Sequence, residues 1–364
     1  MGNMDRPTVA VTMGDPAGVG PEVVAAAYPT LCETAAPLVV GDADAMRDAV
    51  ALRGLDLAVA AVDDAAEAAF DPGTIPVLDL DNVDADALEH GVVREAYGAA
   101  SLAYVERAID LATAGDVDAI ATAPINKQAT RLAGSEHAGH TGLLAAATDT
   151  DDYAMMLVEG VDGADLGGSG DFDPDLVVTH VSTHVPLAEA CERVATERVR
   201  TTIDVTHEGL RDLGIDDPTI AVAGLNPHAG DGGLLGSTED SEIEPAVEAA
   251  RADGLDVRGP ASPDTVFARS AAGDSDCVVA MYHDQGHIPI KMLGFAGEGA
   301  VSGVNVTIGL PIVRTSVDHG TAFDIAGEGV ASEASVVDAV ALAARIARNR
   351  AERATASTTA PEGR

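Results

Sequence analysis

Short apolar runs with the length of buried strands alternate with helix-like segments along most of this chain of 364 residues. One such run, from Cys277 to Tyr282, stops abruptly at a polar turn predicted over residues 283–286. This alternation predicts an α/β protein with a largely parallel sheet, in which ligands bind beyond the carboxyl ends of the strands. Polar residues that directly follow the apolar runs are therefore the first candidates for a functional site.

The length and composition of the chain allow two lobes with a sizeable core, since 46% of the residues are hydrophobic. Apolar spacing predicts helices over 42–53, 90–114, 265–272 and 333–350, a surface loop over 160–173, and a disordered tail after Ala351. The sequence contains neither a transmembrane run of about 18 apolar residues nor a signal-peptide core. We therefore expect a cytoplasmic protein.

The three cysteines, Cys32, Cys191 and Cys277, are far apart in the sequence and lack C-x-x-C spacing. They are predicted to be reduced, buried small side chains, with a catalytic thiol as the alternative.

Acidic residues outnumber basic ones by 60 to 21, which gives a formal net charge of −39. They are scattered among apolar segments, a pattern typical of proteins from a salt-rich cytoplasm, where repulsion is screened over about 3 Å at 1 M salt. The charge argues against nucleic acid or an anionic membrane as a partner. It also draws attention to the only two lysines, Lys127 and Lys291; chance combined with a preference for arginine is the alternative explanation.

Three histidines share one sequence context, because His184, His228 and His283 each lie in the polar loop after an apolar run. Parallel strands bring such loops to one edge of a sheet, and three neutral imidazoles suit zinc or another borderline divalent ion. No local ligand motif is present, so three independent loop histidines are the alternative. His180, within a strand, is predicted to be a core or sheet-face residue.

Cationic and polar side chains form a second set of candidates. Lys291, Arg314, and His140 with Thr141 can bind a phosphate or a carboxylate, arginine through its bidentate fork. A structural ion pair is the alternative for Arg314.

A glycine-rich turn over residues 14–22 leads into a helix predicted to begin near Pro21. Its backbone N–H groups can accept an anion, although a purely structural turn explains the pattern equally well. The carboxylates of Asp15, Asp264, Asp284 and Asp318 lie in the same class of loop, but with 60 acidic residues in the chain no single one stands out.

Eight segments occur in order between about Thr8 and Arg348: GDPAGVGPE, TAPINK, AGHTG, STHVPL, GLNPHAGDGG, GPASPDTVF, YHDQGHIPIK and GVNVTIGLPIVRTSVDHGTAFDIAG. Together they resemble the family of 4-hydroxythreonine-4-phosphate dehydrogenase, the NAD-dependent enzyme of pyridoxal phosphate biosynthesis. The family also contains 4-phospho-D-threonate and 4-phospho-D-erythronate dehydrogenases and a dihydrodiol dehydrogenase, which these motifs do not separate.

The resemblance implies an isocitrate/isopropylmalate dehydrogenase-like α/β/α fold, with two domains, a mostly parallel sheet and a central cleft. On this basis an outer α/β domain is expected over 1–125 and 292–350, and a middle domain with the metal ligands and dimer contacts over 126–291, followed by the tail over 351–364. The resemblance also implies a homodimer with a shared active site, NAD or NADP as cofactor, and a divalent metal (zinc, or magnesium, manganese or cobalt).

Residue by residue, the family's metal ligands fall on His184, His228 and His283, the same three histidines that the strand argument selects. The substrate-binding positions of the family fall on His140, Thr141, Lys291, Asn305 and Arg314. Residues 319–327 are similar to the adenosine-binding loop of the β-decarboxylating dehydrogenases, which implies that the cofactor is bound by His319, Gly320, Thr321, Asp324 and Gly327. Gly142 stands where the family usually has a glutamate.

We therefore predict an enzyme that oxidises and β-decarboxylates 4-hydroxy-L-threonine 4-phosphate (4-phosphooxy-L-threonine), with Lys291, Asp264 and Lys127 as catalytic candidates. 4-Phospho-D-threonate and 4-phospho-D-erythronate are the alternative substrates. A metal-dependent hydrolase of a small phosphorylated metabolite is the alternative from another class of enzyme, and a small-molecule-binding or salt-adapted structural protein is the alternative without catalysis.

Overall fold

The computed structural model describes residues 6–135, 140–161, 172–296 and 303–359. The strands in these ranges are β1 (Thr8–Thr12), β2 (Ala36–Gly41), β3 (Ala58–Val62), β4 (Thr74–Asp79), β5 (Ala119–Thr122), β6 (Ala154–Glu159), β7 (Leu176–His180), β8 (Thr219–Ala223), β9 (Asp256–Ala261), β10 (Cys277–Ala280), β11 (Val304–Ile308) and β12 (Arg314–Val317).

The α-helices in the same ranges are α1 (Gly20–Thr34), α2 (Ala43–Leu52), α3 (Glu95–Ala114), α4 (Lys127–Leu132), α5 (His140–Ala147), α6 (Leu187–Glu192), α7 (Thr196–Leu213), α8 (Glu244–Ala252), α9 (Val266–Ser270), α10 (His283–Ala296) and α11 (Ala334–Thr359). None of these helices combines the length and the apolar character needed to cross a membrane.

Two compact units divide the described chain. The first contains the described residues within 6–149 and 311–359, and the second those within 150–161 and 172–310. The second unit thus extends past the predicted boundary at 291, and the first includes α4 and α5, which the sequence analysis assigned to the middle domain.

The first unit contains strands in the order β3-β4-β2-β1-β5-β12. All five neighbouring pairs are parallel. Register pairs Thr12 of β1 with Thr122 of β5, and Thr122 with Ser316 of β12. The carboxyl ends of these three strands therefore lie side by side, and the loops that follow them begin at one edge.

The second unit contains strands in the order β11-β6-β7-β10-β8-β9. Strands β7, β10, β8 and β9 are parallel to one another, whereas β6 is antiparallel to both β11 and β7. The prediction of a mixed α/β fold with a mostly parallel sheet is confirmed. The middle strands are anchored in a buried apolar cluster of Leu157, Leu176, Val178, Ala221, Ala223, Val266, Phe267, Val278, Ala280 and Ile290.

Several local predictions were wrong. Residues 283–286 form the first turn of α10 rather than a polar turn, α3 begins at Glu95 rather than near residue 90, and α11 continues through the predicted disordered tail as far as Thr359. Glu352, Arg353, Ala354 and Ala356 are good helix formers, which favours continuation of the helix beyond Ala351. Cys32 and Cys277 are buried as predicted, but Cys191 is exposed. Residues 162–171 of the predicted surface loop and 360–364 of the tail lie outside the described residues.

Candidate active site

The three selected histidines follow three adjacent parallel strands. β10 lies between β7 and β8, with Ala280 paired to His180 and Val279 paired to Val222. His184 comes shortly after β7, His283 after β10 and His228 after β8. All three loops therefore start at the same edge of the sheet. Because adjacent strands are about 4.8 Å apart, β7 and β8 are separated by roughly 10 Å, and these loops must lean inward for their side chains to meet.

His184 and His283 lie close together. Their ring centroids are 5.3 Å apart and the ring planes are inclined by 46°. With a metal–nitrogen bond of about 2.1 Å, two imidazoles on one tetrahedral ion have centroids roughly 5 Å apart. His184 has a φ of 50°, in the left-handed region that costs about 1 kcal/mol or more for a residue other than glycine. The spacing and the strained backbone both suit a metal-binding pair.

Asp284 fixes the chemical form of the His283 ring. The His283 Nδ1 atom is 2.7 Å from Asp284 Oδ1. Because a carboxylate oxygen only accepts, Nδ1 carries the proton and Nε2 keeps its lone pair for a ligand. Carboxylates commonly orient metal-binding histidines in this way. The sequence analysis did not single out Asp284 because nothing in the sequence showed that its carboxylate would face His283.

His228 has a different neighbour. Its Nδ1 is 3.9 Å from Asp264 Oδ2, and both side chains are more than half exposed. The Ser262 hydroxyl donates to Asp264 over 2.5 Å, and this bond keeps the pKa of the Asp264 carboxyl below its ordinary value. His228 and Ala229 both have φ values of 54°, so this turn is strained as well.

No three histidine, cysteine, aspartate or glutamate side chains are grouped as a metal site within the described residues. The structure brings His184 and His283 together and places His228 beside Asp264. Imidazole donors at adjacent strand ends, with a free Nε2 on His283, fit a divalent ion, and the complete set of three ligands stays a prediction.

Two further histidines lie behind His283. The His287 ring stacks on the His283 ring at 3.7 Å with the planes 8° apart, and His287 Nδ1 lies 3.0 Å from the His283 carbonyl oxygen. His180 is buried, as predicted, with its ring centroid 4.9 Å from that of His287. Burial lowers the pKa of His180 to about 3, so this imidazole is neutral. The rings of His180 and His287 thus pack against the first turn of α10.

Lys291 lies on the same helix as His283 and His287. His283, His287 and Lys291 occupy positions i, i+4 and i+8 of α10, which places them along one helical face. Asn305 lies on β11 opposite Leu157 of β6 and is half-buried. Its Oδ1 is shielded from solvent and accepts no hydrogen bond within the described residues.

The anion-binding candidates of the first unit surround strand ends as well. Arg314 is 2% exposed and donates from Nη2 to Thr122 Oγ1 over 2.7 Å. Burial lowers its pKa to about 9. His140 and Thr141 begin α5, with the His140 side chain outside the described part, and Lys127 is exposed at the start of α4.

The predicted cofactor loop, residues 319–327, follows β12. Thr321 is buried and its carbonyl accepts from Val19 N over 3.1 Å, whereas His319 and Asp324 are exposed. His319 Nδ1 lies 2.9 Å from the Gly320 carbonyl. The loop therefore rests against the glycine-rich turn before α1 and presents polar side chains to solvent.

A mostly parallel sheet with three histidines in the loops that follow adjacent strands is typical of an α/β metabolic enzyme that binds its ligand at this edge. The chain belongs to the family of the pyridoxal phosphate biosynthetic protein PdxA, whose sequence profile matches residues 33–343. The predicted family is confirmed.

Two curated relatives and one solved structure show how close the match is. The chain is 46% identical to the D-threonate 4-phosphate dehydrogenase of Salmonella typhimurium, over 94% of this chain and 100% of the relative. It is 43% identical to the 4-hydroxythreonine-4-phosphate dehydrogenase of Desulforapulum autotrophicum, over 93% and 95% of the two chains. The crystal structure of the 4-hydroxythreonine-4-phosphate dehydrogenase of Klebsiella pneumoniae matches with a TM-score of 0.80 and 44% identity, over 94% of this chain and 98% of that chain.

These relatives are all dehydrogenases, so the chain is an oxidoreductase that acts on a CH–OH group. The expectation of an enzyme is confirmed, and the hydrolase and the non-catalytic alternatives have no support among these relatives.

Proposed function

We propose that this enzyme oxidises and β-decarboxylates 4-hydroxy-L-threonine 4-phosphate, with NAD or NADP as hydride acceptor and a divalent metal ion. The observation that carries the proposal is the pair of His184 and His283, with ring centroids 5.3 Å apart beside a helix that also bears Lys291. Zinc is the first candidate for the metal, and magnesium, manganese and cobalt are the others.

His184, His228 and His283 would hold the metal, which, when bound, supplies a Lewis acid that lowers the pKa of the substrate hydroxyl. Asp284 keeps the proton of His283 on Nδ1, and Asp264 can do the same for His228 across 3.9 Å with a small inward shift. Lys291 is assigned to proton transfer at the substrate, with Lys127 and Asp264 as the other candidates.

Arg314, Lys291, His140, Thr141 and Asn305 are assigned to the phosphate and carboxylate of the substrate. The Arg314 guanidinium is 2% exposed, and burial lowers its pKa. An anion that accepts its hydrogen bonds would therefore stabilise its charged form. In a chain of net charge −39, such local cations must overcome a repulsive field. The dinucleotide is assigned to His319, Gly320, Thr321, Asp324 and Gly327.

We also infer a homodimer with a shared active site in a salt-rich cytoplasm. α10 exposes three apolar side chains, with Ile288 57%, Met292 69% and Leu293 38% accessible, in the helix that begins with His283. Apolar side chains concentrated beside a candidate site are typical of a surface that another subunit covers. Covering this face by a second copy would bring further side chains next to the histidine pair.

A second candidate substrate is 4-phospho-D-threonate, with 4-phospho-D-erythronate as a related choice. The 46% identity to the Salmonella typhimurium enzyme, which bears the name D-threonate 4-phosphate dehydrogenase, favours it. Formation of NADH or NADPH is followed at 340 nm in high salt, with NAD and NADP, each of the three phosphorylated acids and each metal in turn, and this distinguishes the substrates. Failure of all three would refute the proposed chemistry.

The ligand assignment is tested with His228→Ala. We expect metal-dependent NADH formation to fall by more than about 100-fold, because removing even a residue that hydrogen-bonds to a metal ligand costs about 10- to 100-fold. The unfolding temperature should stay near that of the wild type. His207→Gln, in α7 and outside the site, is the matched histidine control. Undiminished turnover in the His228→Ala enzyme would show that His228 is not a ligand.

A further inference from the structure

Glu22 connects the start of α1 to the end of the cofactor loop. Its side chain is 1% exposed, and its carboxylate accepts from Gly327 N over 2.6 Å and from Gly329 N over 3.0 Å. These partners follow Glu22 by 305 and 307 residues. One buried side chain therefore binds two backbone amides of a distant loop, each through a different oxygen.

The same loop contacts the glycine-rich turn and the segment before α3. Val19 N donates to the Thr321 carbonyl over 3.1 Å. A Cβ atom on Gly18 would lie 3.0 Å from that carbonyl oxygen, so the close approach needs glycine. Gly327 has a φ of 85° and would place a Cβ 2.8 Å from His90 Cδ2. The loop is thus hydrogen-bonded near its start to Val19 and at its end to Glu22, and its end packs closely against His90.

Charge explains why a carboxylate is used at this position. Hydrogen bonds to an ionised acceptor are roughly twice as strong as neutral ones, and a buried one is not weakened by competing water. The positive end of the α1 dipole also favours a negative charge in the first helical turn. A carboxylate with two acceptor oxygens fixes the positions of the Gly327 and Gly329 amides, and hence the curvature of the chain between them.

We propose that Glu22 is a positioning residue that keeps residues 319–329 in the shape required to receive the adenosine part of the dinucleotide. This inference rests on the proposed function, which assigns residues 319–327 to the cofactor. Glu22 itself is buried behind the loop and acts through the backbone of Gly327 and Gly329. The ordered loop spares the dinucleotide the cost of ordering it on binding.

The test uses the full-length Glu22→Gln enzyme, because the amide keeps the size of the side chain but turns an N–H group toward one of the two backbone donors. Glu33→Gln, which removes the same charge from an exposed position of the same helix, is the matched control. Hydrogen exchange of a peptide spanning residues 319–332 is measured without nucleotide. The dissociation constants of NADH, by fluorescence titration, and of zinc, by competition with a chromophoric chelator, are measured in parallel.

We expect exchange at Gly327 and Gly329 to accelerate by roughly tenfold or more in Glu22→Gln, and the NADH dissociation constant to rise by a similar factor. The zinc dissociation constant should not change, because the histidines belong to the other unit. If Glu22→Gln fails to fold, the same measurements are made on Glu22→Asp, which keeps both acceptor oxygens on a shorter side chain.

Unchanged exchange in Glu22→Gln would overturn the inference, and so would faster exchange with unchanged NADH affinity. A wild-type enzyme that binds neither NADH nor NADPH would overturn the proposed cofactor role, and the inference with it; where NADPH is the nucleotide that binds, its dissociation constant replaces that of NADH. Failure of the cofactor role is distinguishable from failure of the inference, because it is seen in the wild-type enzyme and equally in the Glu33→Gln enzyme.

Discussion

Asp15, in the glycine-rich turn before α1, is a buried carboxyl group. It is 0% exposed, Oδ1 accepts from Ala17 N over 2.9 Å, and Oδ2 accepts no hydrogen bond within the described residues. Burial raises its pKa from 3.8 to about 6. The native state therefore holds the proton more tightly than the unfolded chain, so this group contributes stability at low pH that is lost as the pH rises through 6.

The variant Asp15→Asn should be more stable than the wild type at neutral pH, because it keeps the acceptor for Ala17 N and removes the buried charge. The difference in the free energy of unfolding should reach about 3 kcal/mol at most, since each pKa unit corresponds to about 1.4 kcal/mol. Urea unfolding across pH should show the difference shrinking below pH 6 and disappearing near 3.8. A difference independent of pH would show that ionisation of Asp15 is not its cause.

At the scale of elements, the first turn of α10 lies directly over the end of β7. Adding a Cβ atom to Gly286 would place it 2.5 Å from His180 Nε2 and 2.6 Å from Val178 Cγ1. His180 has little freedom to move away, because it is 1% exposed and its Nδ1 lies 3.3 Å from the Met155 carbonyl. Gly286 therefore sets how closely the helix that bears His283 approaches the sheet.

Substituting Gly286→Ala should lower the free energy of unfolding by about 1–3 kcal/mol, the usual cost of overpacking a buried contact. It should also weaken zinc binding, measured by chelator competition, because the displaced turn contains His283. Gly320→Ala is the control for the unfolding measurement, since a Cβ there meets no atom within 4 Å. Equal stability of the two variants would mean that the contact between α10 and β7 relaxes without cost.

The start of α10 also shows where prediction from sequence stops. Apolar runs located the strands, and the rule that ligands gather at strand ends selected His184, His228 and His283 from the sequence alone, of which the structure brings His184 and His283 together. The same sequence suggested a turn at residues 283–286, because glycine and polar residues usually interrupt helices. Two hydrogen bonds of Gln285 oppose that preference. Its side chain accepts locally from Met281 N over 2.7 Å and donates to the distant Gly224 carbonyl over 2.8 Å.

Long-range partners explain the other omissions. From the sequence, Glu22 is only the last residue of the glycine-rich turn, because its partners lie more than 300 residues away. The left-handed backbone of His184 and His228 has no sequence signature, because such conformations are imposed by the surrounding fold. Pattern and family resemblance thus identify which residues carry the chemistry, whereas the residues that orient them depend on contacts that only the folded chain reveals.

The whole molecule carries a charge that its ion pairs do not neutralise. Only 21 lysines and arginines face 60 acidic residues. The ion pairs found in the described residues include exposed neighbours such as Arg193 and Glu189, which contribute at most about 1 kcal/mol each. The remaining negative charges repel one another, and this repulsion favours the expanded, unfolded chain over the compact one.

Stability should therefore increase with KCl concentration. The screening length falls from about 8 Å at 0.15 M ionic strength to about 3 Å at 1 M, so most of the increase in the urea midpoint should occur below about 1 M. Sucrose at equal osmolality is the control, because it is excluded from protein surfaces without screening charge. If the urea midpoint rises equally in KCl and in sucrose, the effect is due to exclusion of the solute from the protein surface. If the midpoint does not respond to KCl below about 1 M, repulsion among the acidic residues does not limit stability.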